Sequence, residues 1–285
     1  MVVIVTATLA AILYGAGAAL EQRQAAATPA GSAGRPRLLV ILVQRPLWLL
    51  GLAAQFGGFA LHAVALRFGP LAIVQMLVAP SLIVSVALLR IWSRRPLGQA
   101  AWTAAGVVVA GVAVFTALTT PPGHGGHPSH DVRGKALIAV AGLGISAVLL
   151  AAAGLRAAEA GRRRAVLLAV ATSLADAAMG VVTLAFAHVA PRGPVAVLTS
   201  WPLYGVVIAG IGGLLLTQTA YQAGRPLITL PVVSAVTPVT SVAIGWGILG
   251  ETHHLDAVSL GGAALAVVVT SFALATLARS APSPQ

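Results

Sequence analysis

An acidic side chain stands inside an apolar stretch in the segment ATSLADAAMG, residues 171–180. Asp176 is one of only six acidic residues in the chain. It comes about eleven residues, or roughly 16 Å of helix, into an apolar run at 165–189, which places it near the centre of a bilayer. A carboxyl group at that depth must face other helices or a water-filled cavity. It could carry a coupling proton or pair with a cationic substrate; the alternative is a protonated side chain that braces neighbouring helices.

Neutral polar residues inside other apolar runs join Asp176 as candidate substrate or coupling positions. The glutamines among them can hydrogen-bond a ligand, or they can tie helices together, which remains the alternative for each. The tyrosines could line the same cavity. These predicted positions are Gln55, Gln75, Gln218, Tyr14 and Tyr204.

Two prolines, Pro80 and Pro238, fall in the middle of apolar runs. Proline removes a helical hydrogen bond and bends or breaks the helix. The carbonyl groups freed in this way could contact a polar substrate, as they do in discontinuous transporter helices. A simple packing kink is the alternative.

The other ionisable residues are predicted to lie at helix ends or in loops. Glu21 is expected to form an interfacial ion pair with Arg23. The segment HGGHPSHD carries His124, His127 and His130, a spacing that invites transition-metal capture. Glycine and proline exclude a preformed helical site there, so a solvated loop is favoured and no metal site is predicted.

The composition identifies the solvent around these residues. Of the 285 residues, 58% are hydrophobic and 8% are charged, whereas soluble domains carry about 25% charged residues. Mean hydropathy is +0.95. Such a chain cannot cover itself with a polar surface, so the solvent is a lipid bilayer.

Nine apolar runs are long enough to span that bilayer, and each is predicted to be a helix because a span must satisfy its own backbone hydrogen bonds. The fold class is therefore an all-α polytopic membrane protein with nine transmembrane helices. The runs cover 2–20, 46–67, 70–91, 97–119, 134–154, 165–189, 198–222, 227–249 and 256–278.

The net charge of +11 arises from basic residues clustered between these runs. In alternate connections, thirteen of the 17 Lys and Arg residues fall on the side that includes the C-terminus. Basic residues accumulate on the cytoplasmic side, which predicts a plasma-membrane protein with its N-terminus outside and its C-terminus in the cytoplasm. Nucleic-acid binding is not expected, because the arginines do not share a helical face.

Two parts of the chain resemble each other. Each starts with Trp (Trp48 or Trp201), turns at a Gly- and Pro-containing segment, and places a proline in mid-span. Five helices used twice, with the first copy lacking one, would make two inverted repeats, which are typical of secondary transporters. The predicted division is a four-helix repeat at 1–119, an outer loop at 120–133, a five-helix repeat at 134–278 and a cytoplasmic tail at 279–285.

The segments GPLAIVQMLVAPSLIVSVALL and GRPLITLPVVSAVTPVTSVAIGWGILGE resemble paired helices of EamA-type permeases in the drug/metabolite transporter superfamily. The second ends in the Gly250-Glu251 pattern of these permeases; the first has Arg94-Arg95 where the acid would be. LYGAGAALEQRQA and the nine-span layout are similar to the NIPA-type magnesium transporter branch. The resemblance implies inverted repeats and transport.

The expected function is a secondary transporter of small metabolites or drugs, with alternating access around a midplane cavity and proton coupling through Asp176. A magnesium or other divalent-cation transporter is the alternative, weakened by the single acid expected at depth. An enzyme is not expected, since the spans offer no convergent catalytic set, and no cofactor is predicted. Expected partners are the bilayer and a small-molecule or cation substrate, and the sequence allows a homodimer.

Overall fold

A computed structural model describes residues 1–68, 71–93, 98–119, 132–157, 161–223, 226–249 and 257–280. These residues form α-helices joined by short turns, and the described ranges contain no strand. In chain order the helices are α1 Val2–Ala26, α2 Pro36–Val43, α3 Pro46–Phe68, α4 Leu71–Val78, α5 Ser81–Ser93, α6 Gln99–Thr119, α7 Val132–Arg156, α8 Arg162–Val189, α9 Pro194–Leu198, α10 Trp201–Gln222, α11 Pro226–Ile244 and α12 Ala257–Ser280.

Eight of the described helices are long and apolar enough to cross a membrane: α1, α3, α6, α7, α8, α10, α11 and α12. Their outward surfaces are apolar as well. Phe56 on α3, Ile208 on α10 and Phe272 on α12 are each more than 60% exposed. Large aromatic and aliphatic side chains on the outside of a bundle suit contact with lipid. The helices therefore define a polytopic α-helical membrane protein.

The predicted third span, 70–91, is not a continuous helix. It is divided into α4 and α5 by a turn at Ala79 and Pro80. The Pro80 carbonyl accepts hydrogen bonds from the amides of Ile83 and Val84, so proline opens the new helix at the end where its missing N–H costs least. Eight long helices and this divided pair thus stand where nine spans were predicted, and the break falls at Pro80, one of the two prolines predicted to bend or break a helix.

The second mid-span proline acts differently. Helix α11 continues through both Pro231 and Pro238, although each proline deprives the carbonyl four residues earlier of its helical donor. A π-helical turn, Gly245–Leu249, follows the end of α11. Pro238 therefore lies inside a continuous helix, whereas Pro80 lies at a break.

Pairs of helices from the beginning and end of the chain pack in corresponding ways. Helix α1 contacts α3 and α5, while α8 contacts α10 and α11. Helix α6 packs along α12, and α1 also touches α10. The largest cluster of buried apolar side chains draws on both sets, with Leu42, Trp48 and Val86 from one and Leu230 and Leu277 from the other. The two ends of the chain thus share one core.

Hydrogen bonds from Arg45 and Gln222 hold the connection between α1 and α3 in place. Helix α1 continues to Ala26, beyond the end of the predicted first span at residue 20. The Arg45 guanidinium donates to the carbonyls of Gln24 and Ala27 at 3.1 and 3.2 Å, which supplies donors to the unsatisfied end of α1. The Gln222 amide on α10 donates to Thr28 Oγ1 at 2.8 Å.

Glycines set how closely α1 approaches its neighbours. A Cβ at Gly15 would lie 2.5 Å from the Ser81 carbonyl oxygen on α5, and one at Gly17 would lie 2.8 Å from the Gly51 carbonyl oxygen on α3. The Gly15 carbonyl also accepts a hydrogen bond from Ser85 Oγ at 3.0 Å. Small residues allow such backbone contact between membrane helices.

We expect Gly15→Ala to lower the free energy of unfolding by about 1–3 kcal/mol, because the added methyl group meets backbone that cannot move aside. Gly106→Ala in α6 is the matched control, since a Cβ there would have no neighbour within 4 Å. Thermal unfolding of the purified proteins in detergent measures both. Equal midpoints for the two variants would contradict the tight packing of α1 on α5.

Candidate functional site

Glu21 lies in the interior of the bundle. It is on the last turns of α1 and only 3% exposed. Gln218, on α10, is fully buried and donates its Nε2 hydrogen to Glu21 Oε2 at 2.6 Å. A short hydrogen bond to a carboxylate is stronger than one between neutral groups. This contact links the first helix of the chain to a helix of its second half.

Space for the Glu21 side chain is made by glycine. A Cβ added to Gly51 on α3 would lie 3.1 Å from Glu21 Cγ. Any larger residue at position 51 would push on the glutamate stem. The carboxyl group therefore reaches α10 because α1 and α3 are in close contact along Gly17 and Gly51.

Two oxygen atoms of this pair are left without a partner. Glu21 Oε1 and Gln218 Oε1 are both buried, and neither has a hydrogen-bond partner in the described part of the chain. Both atoms are acceptors. Burying acceptors without donors is costly, so the pair can accept a group that carries N–H or O–H hydrogens or positive charge.

Asp176 lies on α8, which packs along α10. It lies near the middle of α8 and is partly exposed. The preceding turn carries two fully buried hydroxyls, Thr172 and Ser173, which donate to backbone carbonyls of their own helix. Within the described ranges, the Asp176 carboxyl has no hydrogen bond or ion pair. It is free to interact with a proton or a solute.

A buried tyrosine lies on the same helix as Gln218. Tyr221, one turn beyond Gln218 on α10, is only 6% exposed. Helix α10 contacts α1 on one side and α8 on another, so it lies between the helices that carry the two acids. We call these four polar residues on α1, α8 and α10 the acidic cluster: Glu21, Asp176, Gln218 and Tyr221.

The predicted ion pair between Glu21 and Arg23 is wrong. Glu21 points inward to Gln218, while the Arg23 guanidinium lies 5.1 Å from the centre of the Trp92 ring. Successive residues on a helix face different directions, so neighbours two apart do not meet. The arginine stacks on an aromatic face, and the glutamate is left to the interior.

The other predicted polar residues are distributed over several surfaces. Gln55 lies against Gly17, next to the acidic cluster along α3. The Tyr14 ring meets His62 edge to face, with centroids 6.1 Å apart. Tyr204 is 56% exposed and donates to the Leu198 carbonyl, away from the cluster. Gln75 belongs to α4, and its side chain lies outside the described structure.

The two predicted prolines are not brought together with Asp176. Pro238 lines a cavity of about 130 Å³ between α6, α11 and α12, whose polar atoms come from Thr270 and Ser271. Neither Asp176 nor Pro80 lines this cavity. The predicted set therefore divides between the acidic cluster and a second, mainly apolar space.

The histidine-rich segment 120–131 lies outside the described residues, as does Glu251. In the described ranges, no group of three or more His, Asp and Glu residues is placed to hold a metal ion. The candidate site is thus the acidic cluster, which uses carboxyl and amide oxygens.

Among known proteins, the chain is similar over nearly its whole length to a bacterial protein. It is 24% identical, over 96% of its length and 94% of the relative's, to an uncharacterized protein of Corynebacterium glutamicum. No family model and no solved structure matches it.

Asp176 and Gln218 were proposed as site residues from the sequence, but Glu21 was not. Glu21 falls next to a basic residue at the end of an apolar run, and this pattern is typical of an interfacial ion pair. The signal that pointed inward is the spacing of Gly17 and Glu21, four residues apart on one helical face. Because Gly17 packs against another helix, an acid on the same face of α1 must also point into the bundle.

We expect Gln218→Met to lower the free energy of unfolding by about 1–3 kcal/mol, because it leaves a buried carboxyl without its donor. The double variant with Glu21→Met should lose less than the sum of the two single changes, since both polar partners are then removed together. Gln99→Met, at an exposed position of α6, is the control. Additive effects in denaturant unfolding would contradict a direct interaction.

Proposed function

We propose that this chain is a secondary transporter that moves a small solute across the membrane through the acidic cluster. One observation carries the proposal: two carboxyl groups and a fully buried amide lie on the adjoining helices α1, α10 and α8 of an apolar membrane bundle. Ionisable groups inside a membrane are costly and mark solute or proton pathways. Asp176 has no partner among the described residues, which suits a group that exchanges a proton or contacts the solute.

The proposed architecture is two inverted repeats. Its support is the corresponding packing of α1 on α3 and α5, and of α8 on α10 and α11. A glycine also lies at the contact of α8 with α10, where a Cβ at Gly205 would lie 2.8 Å from the Val182 side chain. If α4 and α5 together make one crossing, the chain crosses nine times and its ends lie on opposite sides. Transporters with inverted repeats bind their solutes between the two halves.

The mechanism follows from the position of Glu21 and Gln218. Their hydrogen bond joins α1 of the first half to α10 of the second. Movement of one half against the other would break and re-form this contact, and a solute or proton that competes for Glu21 would bias the movement. A ligand shifts such an equilibrium only through different affinities for the two states.

The resemblance to EamA-type members of the drug/metabolite transporter superfamily belongs to this proposal and implies a metabolite or drug as the solute. A magnesium or other divalent-cation transporter is the second candidate. The burial of Glu21 favours this cation transporter more than the sequence did, because the bundle interior now holds a second carboxyl group besides that of Asp176. Magnesium prefers oxygen ligands of this kind.

We expect Asp176→Asn to reduce proton-coupled flux roughly 10-fold or more, because the amide cannot bind and release the coupling proton. The assay is a solute screen in proteoliposomes with an imposed pH gradient and an entrapped pH indicator. Asp256→Asn, at the first residue of the predicted ninth span, is the control and should retain wild-type flux. Unchanged flux in Asp176→Asn would exclude proton coupling at this residue.

The proposed orientation, with the N-terminus outside and the C-terminus in the cytoplasm of a plasma-membrane protein, has its own test. The chain contains no cysteine, so single cysteines report the side of each connection without background. An impermeant maleimide should label Ser129→Cys in intact cells and Ala160→Cys only after the membrane is opened. Labelling of both from the same side would overturn the crossing of α7.

A further inference from the structure

We propose that Glu21 and Gln218 bind an ammonium group that carries N–H donors: the ammonium ion or the end of a primary amine. The inference deepens the proposed function and rests on it for the step from binding to transport. It starts from the two buried oxygens, Glu21 Oε1 and Gln218 Oε1, that have no partner among the described residues. They belong to side chains that are 3% and 0% exposed.

The chemistry of the pair selects the ligand. Both free atoms accept hydrogen bonds and neither donates. The Gln218 amide nitrogen already donates to Glu21 Oε2. This hydrogen bond fixes the orientation of the amide group and leaves its oxygen to contact a ligand. A primary ammonium offers three N–H donors and one positive charge, so it can satisfy both oxygens and balance the carboxylate.

The surroundings limit the size of the ligand. Gly51 and Gly17 bring the α3 backbone against α1, and Glu21 Cγ is already 3.1 Å from the Cβ position of Gly51. A quaternary ammonium is wider and has no N–H, so it would leave both oxygens without donors. A magnesium ion would need to keep several of its waters here, because the pair supplies two free oxygens, whereas a primary ammonium can bond to both directly.

The charges nearby agree with a cationic ligand. Glu21 and Asp176 are the acidic residues of the described ranges. In these ranges, Arg and Lys side chains form no ion pair with either acid; Arg23, two residues along, stacks on Trp92 instead. A cationic ligand would balance the charge of the Glu21 carboxylate.

The test compares two probes on the purified wild-type protein in lipid nanodiscs. Methylammonium chloride should raise the unfolding temperature in a saturable way, because a ligand of the folded state stabilises it. Tetramethylammonium chloride at equal ionic strength should leave the temperature unchanged. Equal shifts with the two salts, no shift with methylammonium, or saturation by magnesium chloride at lower concentration would each overturn the inference.

A variant locates the site. Glu21→Gln keeps the shape and removes the charge, and methylammonium affinity should fall roughly 10- to 100-fold, which is the range for losing a hydrogen bond to a charged group. Glu159→Gln, the same chemical change between two predicted spans, should bind as the wild type does. Wild-type affinity in Glu21→Gln would overturn the assignment. If this variant does not fold, the comparison of the two probes on the wild type decides alone.

Binding and transport are separated by one further measurement. Proteoliposomes that bind methylammonium but move no solute would contradict the transporter proposal and leave the binding site intact. Solute flux that persists in Glu21→Gln, together with no methylammonium binding to the wild type, would retain the transporter and reject the ammonium site.

Discussion

The structure depends on the lipid solvent, which offers neither donors nor acceptors to the chain. Each span must pair its own backbone groups, so the described chain is helical throughout, and apolar side chains can cover its outside. The same solvent offers little hydrophobic drive for association between helices. Packing instead relies on close backbone contact at small residues, as at Gly15 against Ser81 and Gly17 against Gly51.

Within such a bundle, polar groups decide which helices belong together. The hydrogen bond from Gln218 to Glu21 specifies the contact of α1 with α10; apolar surfaces alone would allow many registers. Asp176 adds a second carboxyl group on α8, which contacts α10. The cavity at Pro238 has a different character, because its lining residues are mostly aliphatic and include two hydroxyl side chains, Thr270 and Ser271.

Composition and run length were sufficient to predict the helical membrane class, because lipid permits few alternatives. The position of Asp176 near the middle of its helix was also predictable, since that apolar run is long and uninterrupted. The two mid-span prolines were predicted to bend or break their helices, and Pro80 does lie at a break, whereas α11 continues through Pro238. Sequence alone did not separate these outcomes, because proline can either open a new helix or be accommodated within one. Glu21 was placed at an interface because the apolar run ends at residue 20, whereas α1 continues to Ala26 and turns its acid toward α10.

The end of α10 also holds the segment that follows α1. Gln222 donates to Thr28 and Pro29, and Thr219 Oγ1 accepts from the Gly34 amide. Gln222 and Thr219 lie within about one turn of Gln218, whose side chain donates to Glu21. The C-terminal end of α1 is therefore anchored to α10 twice, once through its own side chain and once through the segment that continues the chain.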